Sequence, residues 1–310
     1  MAIIKKTLLQ KLYDLLPVII VLFLTTIGFI IALIGIDYGR HWDEHKLLNS
    51  VANVAKTGIL IPGWYNYPSF SFLLAFLSSS IFILFEFYNE IIVGDFDRNF
   101  FINLSQDVQV LIVEKRNEII HNIRLYFCFF TFLSVPILFF ACKLFMKNSC
   151  SILASIFLLS SFQFISHSLW IAPDALQITW ISSMIYFILL YNKHHDFNYL
   201  LLTTIICAAM TATKYPAGIF LLTPIYILNY QKIMIKKSIF ILFIFGITYV
   251  LMSPGTLIDP FRFAGDLKFE ILHYSKMGHS VYTIQKGTVH FFQIMNFIIG
   301  SLFSPNVIIS

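Results

Sequence analysis

Apolar runs near bilayer length recur along the chain, and its polar residues gather in the stretches between them. The runs are Leu15–Ile36, Pro68–Tyr88, Leu125–Cys142, Ser151–Ile171, Ala175–Tyr191, Tyr199–Ala212, Ala217–Tyr230, Ser238–Met252 and Val289–Phe303. About 20 apolar residues carry a helix across a hydrocarbon core, so the pattern predicts an all-α polytopic membrane protein. Composition agrees: 58% of residues are hydrophobic and 12% charged, against about 25% charged in a soluble domain. The mean hydropathy is +0.80. The first run follows Lys5, Lys6 and Lys11 as a signal peptide would. It is too long for an h-region and no Ala-x-Ala site follows, so it reads as a retained span.

Charge then chooses among topologies. If all nine runs cross, Lys and Arg scatter over both sides. If Pro68–Tyr88 stays out of the count as a juxtamembrane or re-entrant segment, the loops sort. The N-terminus and the loops at Lys143–Lys147, Lys193–Asp196 and Lys232–Lys237 then share one side, whose only acids are Asp14 and Asp196. The positive-inside rule makes that side cytoplasmic. About eight spans result, with two large outside loops, residues 37–122 and 253–288. Loops this long are usually functional or disordered. Both mix aromatics and charges, unlike a linker, and no internal repeat is evident. The four cysteines (Cys128, Cys142, Cys150, Cys207) lie in or at the ends of apolar runs and read as fillers rather than a disulfide or zinc framework.

The outside stretches hold the candidate chemistry. After the first span comes Asp37-Tyr38-Gly39-Arg40-His41-Trp42-Asp43-Glu44-His45. A helix beginning at Asp43 or Glu44 places Leu47, Leu48, Val51, Val54 and Ala55 on one face and ends at Gly58, as an interfacial helix would. Asp43 alone could simply cap it. Capping does not account for the second acid, nor for the flanking His41 and His45. The aromatic turn around Tyr67-Pro68 reads as part of an interfacial belt. The mixed charges of Asp95–Glu118, Arg116 included, read as a solvated face. Arg124 opens the next span, where a cation is costly unless it pairs or snorkels. Asp174 follows Pro173 at a helix start and could cap that span. The topology also puts it on the same face as Asp43. Lys214-Tyr215-Pro216 forms another turn there, and the second large loop adds His273 and His279. These two histidines could ligate a metal, but their spacing fits no zinc pattern, so no cofactor is expected.

In this order the features resemble the GT-C membrane glycosyltransferases, in the protein O-mannosyltransferase and aminoarabinose-transferase-like branch. They are an Asp-Glu pair after the first span, an interfacial helix, Tyr67-Pro68, Arg124 opening a span, Ala172-Pro173-Asp174, Lys214-Tyr215 and Gly278-His279. The likeness covers roughly residues 15–303 and implies one GT-C-like transmembrane domain over 1–310. It departs at Tyr67-Pro68-Ser69, where many members have a double Pro, and at Ser310, where most members continue. A truncated, inactive homologue is therefore one alternative.

The resemblance implies transfer of a sugar from a polyprenyl-phosphate donor to a lipid, glycan or protein on the extracytoplasmic face, in a bacterial inner membrane. It implies that Asp43, alone or with Glu44, and Asp174 face the reaction. Arg124 and Lys214 are expected to hold the lipid phosphate, with Tyr67, His273 and His279 completing the substrate site. A transporter or flippase is the other alternative. Such proteins keep ionisable groups near mid-membrane on broken helices, whereas the centres of the eight expected spans lack Lys, Arg, Asp and Glu. The net charge of +5 comes from short cytoplasmic loops, so a nucleic-acid partner has no support.

Overall fold

A computed structural model describes residues 8–39, 41, 44–88, 98–230, 235–273 and 287–303, and all of its regular elements there are helical. In chain order these are α1 (Leu8–Ile34), α2 (Glu44–Thr57), α3 (Phe70–Glu86), α4 (Arg98–Glu114), α5 (Arg116–Phe132), α6 (Ser134–Lys143), α7 (Asn148–Leu159) and α8 (Phe162–Ser168). They continue with α9 (Pro173–His194), α10 (Phe197–Thr213), a 3₁₀ segment (Tyr215–Leu221), α11 (Leu222–Tyr230), α12 (Ile235–Met252), α13 (Gly255–Ile258), α14 (Pro260–Leu272) and α15 (Thr288–Phe303).

The expectation of an all-α membrane protein holds, while the described residues account for four or five of the expected eight spans by length and composition. Among the described residues, four helical stretches are long and apolar enough to cross: Leu15–Ile34, Arg116–Lys143, Pro173–His194 and Ile235–Met252. A fifth arises if α7 and α8, bent by 60° at Ser160–Ser161, form one broken span. Ser161 stops α7 because its side chain caps α8 by accepting from Phe164 N at 3.4 Å. Phe197–Thr213 and Tyr215–Leu228 are apolar but shorter. Pro216 enters just after Thr213 and lacks the N–H that a continuing helix needs, so the run divides into α10 and the 3₁₀ segment.

The central helices meet through small and hydroxylated residues, which allow close approach where no hydrophobic effect drives helices together. Thr203, Thr204, Ala208, Ala209 and Ala212 of α10 are all buried, as are Ser182 and Ser183 of α9. Cross-helix bonds fix the register: Gln177 Nε2 to Met210 O and Thr179 Oγ1 to Phe130 O, each 2.7 Å, and Trp180 Nε1 to Thr213 Oγ1 at 3.1 Å.

The stretch 37–122, expected to be the first outside loop, carries α2, α3 and α4. Helix α2 starts at Glu44 and stops before Gly58 (φ +68), as its sequence predicts. Its apolar face is packed into protein: Leu47, Leu48 and Val51 share a core with Phe72 of α3, Ile112 of α4 and Ile123 of α5. Both ends of α3 are tied to the outer ends of other segments. Ser253 Oγ, just past α12, donates to Ser69 Oγ at 3.0 Å, and Lys115 Nζ meets Glu86 Oε2 at 2.6 Å at the start of α5. Asn122 Nδ2 also donates to Ser78 O at 2.7 Å. Helix α3, apolar but shorter than the helices of crossing length, is therefore held at both ends and along α5.

The second outside loop docks on the aromatic turn through two carboxylates one helical turn apart. Asp266 Oδ2 of α14 accepts from Tyr65 N at 2.8 Å, and Glu270 accepts from the Asn66 side-chain amide. Tyr215 donates its hydroxyl to Tyr65 O at 2.7 Å. Tyr65 is fully buried, and burial, with Asp259 nearby, pushes its phenol up to about 12. Its ring lies against Gly255, where an added Cβ would overlap the ring and hydroxyl. Since the Tyr65 backbone is held on both sides, the ring has little freedom to retreat. Gly255→Ala should destabilise the protein by about 1–3 kcal/mol, the range for overpacking a filled core. A lowered unfolding midpoint in detergent checks this, with Gly246→Ala, where a Cβ meets nothing within 4 Å, as the control.

Candidate functional site

Several chain segments named as outside stretches converge at one end of the helices. An internal ion pair fastens them. Arg124 Nε donates to Glu44 Oε1 at 3.0 Å and Nη2 donates to Glu44 Oε2 at 2.7 Å, a bidentate pair. Nη1 donates to Ile36 O at 2.7 Å and Nη2 to Gly39 O at 2.9 Å. Glu44 Oε1 also accepts from Ile171 N at 3.1 Å. Both residues are under 5% exposed. The end of α1, the start of α2, the outer part of α5 and the turn before α9 thus meet at one clasp. Gly39 takes φ +71, with Trp170 Nε1 only 3.3 Å from where a Cβ would stand, so the turn fits no larger residue without strain. Trp170 Nε1 in turn donates to Tyr38 O at 3.2 Å.

Beside the clasp is a cavity of about 1060 Å³ lined by Asp37, Gly39, His41, Glu44, His45, Arg116, Asn117, Ile120, Arg124, His167 and Trp170. Asp37 Oδ1 lies 3.0 Å from His121 Nδ1. His167 packs against Trp170 with ring centres 5.6 Å apart, and its buried Nδ1 has no hydrogen-bond partner among the described residues. A second cavity, of about 540 Å³, is lined by Asn66, Tyr67, Lys214, Tyr215, Pro216, Leu267, Glu270 and Ile271. Lys214 Nζ is 2.5 Å from Asp174 Oδ1, in a pair with 36% and 49% of the side chains exposed. Both members act electrostatically on His167, which lines the larger cavity. Through Lys214 the Asp174–Lys214 pair borders the smaller chamber.

Of the residues named from sequence, Glu44 and Arg124 come together in the clasp, and Asp174 pairs with Lys214. Tyr67 lines the smaller chamber, its ring 5.6 Å from that of Trp64. His273 follows α14, with its ring stacked 5.8 Å from Phe269. Asp43 and His279 lie outside the described residues. Asp43 falls between His41 and Glu44, which both line the larger chamber. Among the described residues no group of three or more His, Cys, Asp or Glu could hold a metal ion.

The structure also brings in residues that sequence reasoning passed over. Arg116 was read as part of a solvated face, yet it lines the larger chamber. Asp37, His45 and His167 join it there. Tyr65, read with its neighbours as belt, is the wedge between the two outside loops. A signal for His167 was available: it lies six residues before Pro173-Asp174, in the same turn-forming stretch.

Comparison with known proteins agrees with the resemblance read from the sequence. Residues 109–257 match the family model described as dolichyl-phosphate-mannose-protein mannosyltransferase. The matched stretch contains Arg124, Asp174 and Lys214, and the Asp43-Glu44 pair precedes it. No match was found among curated proteins or among solved structures.

Proposed function

On the premise of that family match, we propose that this chain is a membrane glycosyltransferase that takes a sugar from a lipid-linked donor. The observation that carries the reading is that Arg124, Asp174 and Lys214, all within the family-matched stretch, are paired at or beside two cavities, Arg124 with Glu44 at the larger and Lys214 with Asp174 at the smaller. An acceptor and a donor must each be held in place if one is to attack the other in a near-attack geometry.

The reaction is an inverting displacement. The acceptor hydroxyl oxygen attacks the anomeric carbon, and the bond from that carbon to the phosphate oxygen of a polyprenyl phosphate breaks. The acceptor proton passes to a carboxylate, for which Asp43 is the candidate, and the lipid phosphate leaves as an anion. No strong acid is required for so stable a leaving group. Glu44 and Arg124 act on this chemistry through position, since their hydrogen-bonding groups are engaged with each other and with the backbone at Ile36, Gly39 and Ile171. Asp174, salt-bridged to Lys214, orients a sugar or acceptor hydroxyl beside the smaller chamber, which Tyr67 also lines. His273 and His279, in the stretch 253–288, are further candidates for binding the substrate.

The acceptor is a lipid, glycan or protein on the extracytoplasmic face of a bacterial inner membrane. The N-terminus is cytoplasmic, and residues 1–310 act as a single transmembrane domain with loops 37–122 and 253–288 outside. Membranes carrying the protein should transfer radiolabel from one member of a panel of polyprenyl-phosphate sugars to an extractable lipid, glycan or protein. Absence of transfer from every donor in the panel, with the protein present and inserted, would overturn the proposal.

A further inference from the structure

We infer that Arg116, at the start of α5, binds the phosphate of the lipid carrier in the larger chamber. The identity of the carrier rests on the glycosyl-transfer reading; the assignment of its anion to Arg116 goes beyond it. Charge bookkeeping around the site singles this residue out. Arg124 is neutralised by Glu44 at 2.7 Å, Lys214 by Asp174 at 2.5 Å and Lys115 by Glu86 at 2.6 Å. Arg116 lines the chamber, is exposed, and makes no ion pair or side-chain hydrogen bond among the described residues. Among the described residues two acids line the chamber: Glu44 is paired with Arg124, and Asp37 lies 3.0 Å from His121. Among those same residues, Arg116 is the lining guanidinium that no carboxylate pairs, with Asn117 and His45 as further hydrogen-bonding groups. A guanidinium presents a planar fork that matches two phosphate oxygens.

The lipid-borne source is favoured over a free anion by what leads to the chamber. Ile27, Ile30, Ile31 and Ile34 of α1 are 38%, 52%, 59% and 84% exposed. Their spacing forms one apolar stripe that runs along the span and ends next to Asp37 and Gly39, at the chamber wall. A prenyl tail lying on that stripe would bring its phosphate to Arg116 from within the bilayer.

The test measures binding to the purified full chain in detergent, with a short prenyl monophosphate, the matching prenol and inorganic phosphate as probes. Wild-type protein should prefer the prenyl phosphate to both others by at least roughly tenfold, and Arg116→Gln should lose about that preference. Prenol binding and the unfolding midpoint should not move in Arg116→Gln. Lys115→Gln, which removes the neighbouring charge already paired with Glu86, should bind as wild type. Unchanged prenyl-phosphate affinity in Arg116→Gln would overturn the assignment, and equal affinity for inorganic phosphate would overturn the lipid source. Arg116-dependent binding without sugar transfer would support this inference while removing the transferase reading. Transfer that is indifferent to Arg116 would do the opposite.

Discussion

Glu44→Gln and Arg124→Met should each cost about 3–5 kcal/mol of stability, because each leaves a buried charge or its partner uncompensated. Neither residue can turn to water: both are under 5% exposed and enclosed by α1, α2, α5 and the turn before α9. Removing Arg124 strands the Glu44 carboxylate and also deprives the carbonyls of Ile36 and Gly39 of their donor. Removing the charge of Glu44 strands the guanidinium and weakens the bond from Ile171 N. The double variant Glu44→Leu/Arg124→Met should recover a large part of the loss, since an apolar pair of similar volume avoids the desolvation cost of burying two ions. Full recovery is not expected, as three backbone groups still lack partners. Unfolding midpoints of the two single variants and the double variant, in one detergent, give the comparison. Single variants as stable as wild type would show that the clasp does not hold the loops together.

The second large effect is on turnover. Asp43→Asn should reduce sugar transfer by about 10²–10⁴-fold, the usual contribution of a positioned general base, while leaving insertion and the unfolding midpoint unchanged. Asparagine keeps the shape and much of the hydrogen bonding of aspartate but cannot accept the acceptor's proton. The contrast with Glu44→Gln makes the experiment decisive. A positioning residue lowers stability and transfer together, whereas a base lowers transfer alone. Undiminished transfer by Asp43→Asn would require another carboxylate to take the proton.

The legible parts of this protein are those governed by local signals. Apolar length and the placement of lysines near span ends are read within windows of about 20 residues. They foretold an all-helical membrane protein. Length alone was a poorer guide where Pro216 and Ser161 interrupt apolar runs, so that of the expected spans four or five are continuous or singly broken helices of crossing length among the described residues. Arg124, Glu44, Asp174 and Lys214 were all identifiable by type and position. Their pairings were not, because the partners lie 80 and 40 residues apart and no local pattern couples them. Arg116 was hidden for a related reason. That it lines the chamber, while Lys115 beside it is paired with Glu86, is visible only in three dimensions.

The docking of α14 on the aromatic turn also bears on how the protein is made. Tyr65 and Asp266 are separated by 201 positions and Asn66 and Glu270 by 204. Contacts of such separation form late, because the chain between them must first be ordered. A ribosome delivers the Tyr65 turn first, and the wall of the smaller chamber supplied by Leu267, Glu270 and Ile271 follows only after roughly 200 further residues. During that interval the Glu44–Arg124 clasp can close as soon as the turn at Ile171 emerges. The larger chamber is thus complete before the smaller one, and the order of translation is built into the order in which the two chambers become able to bind.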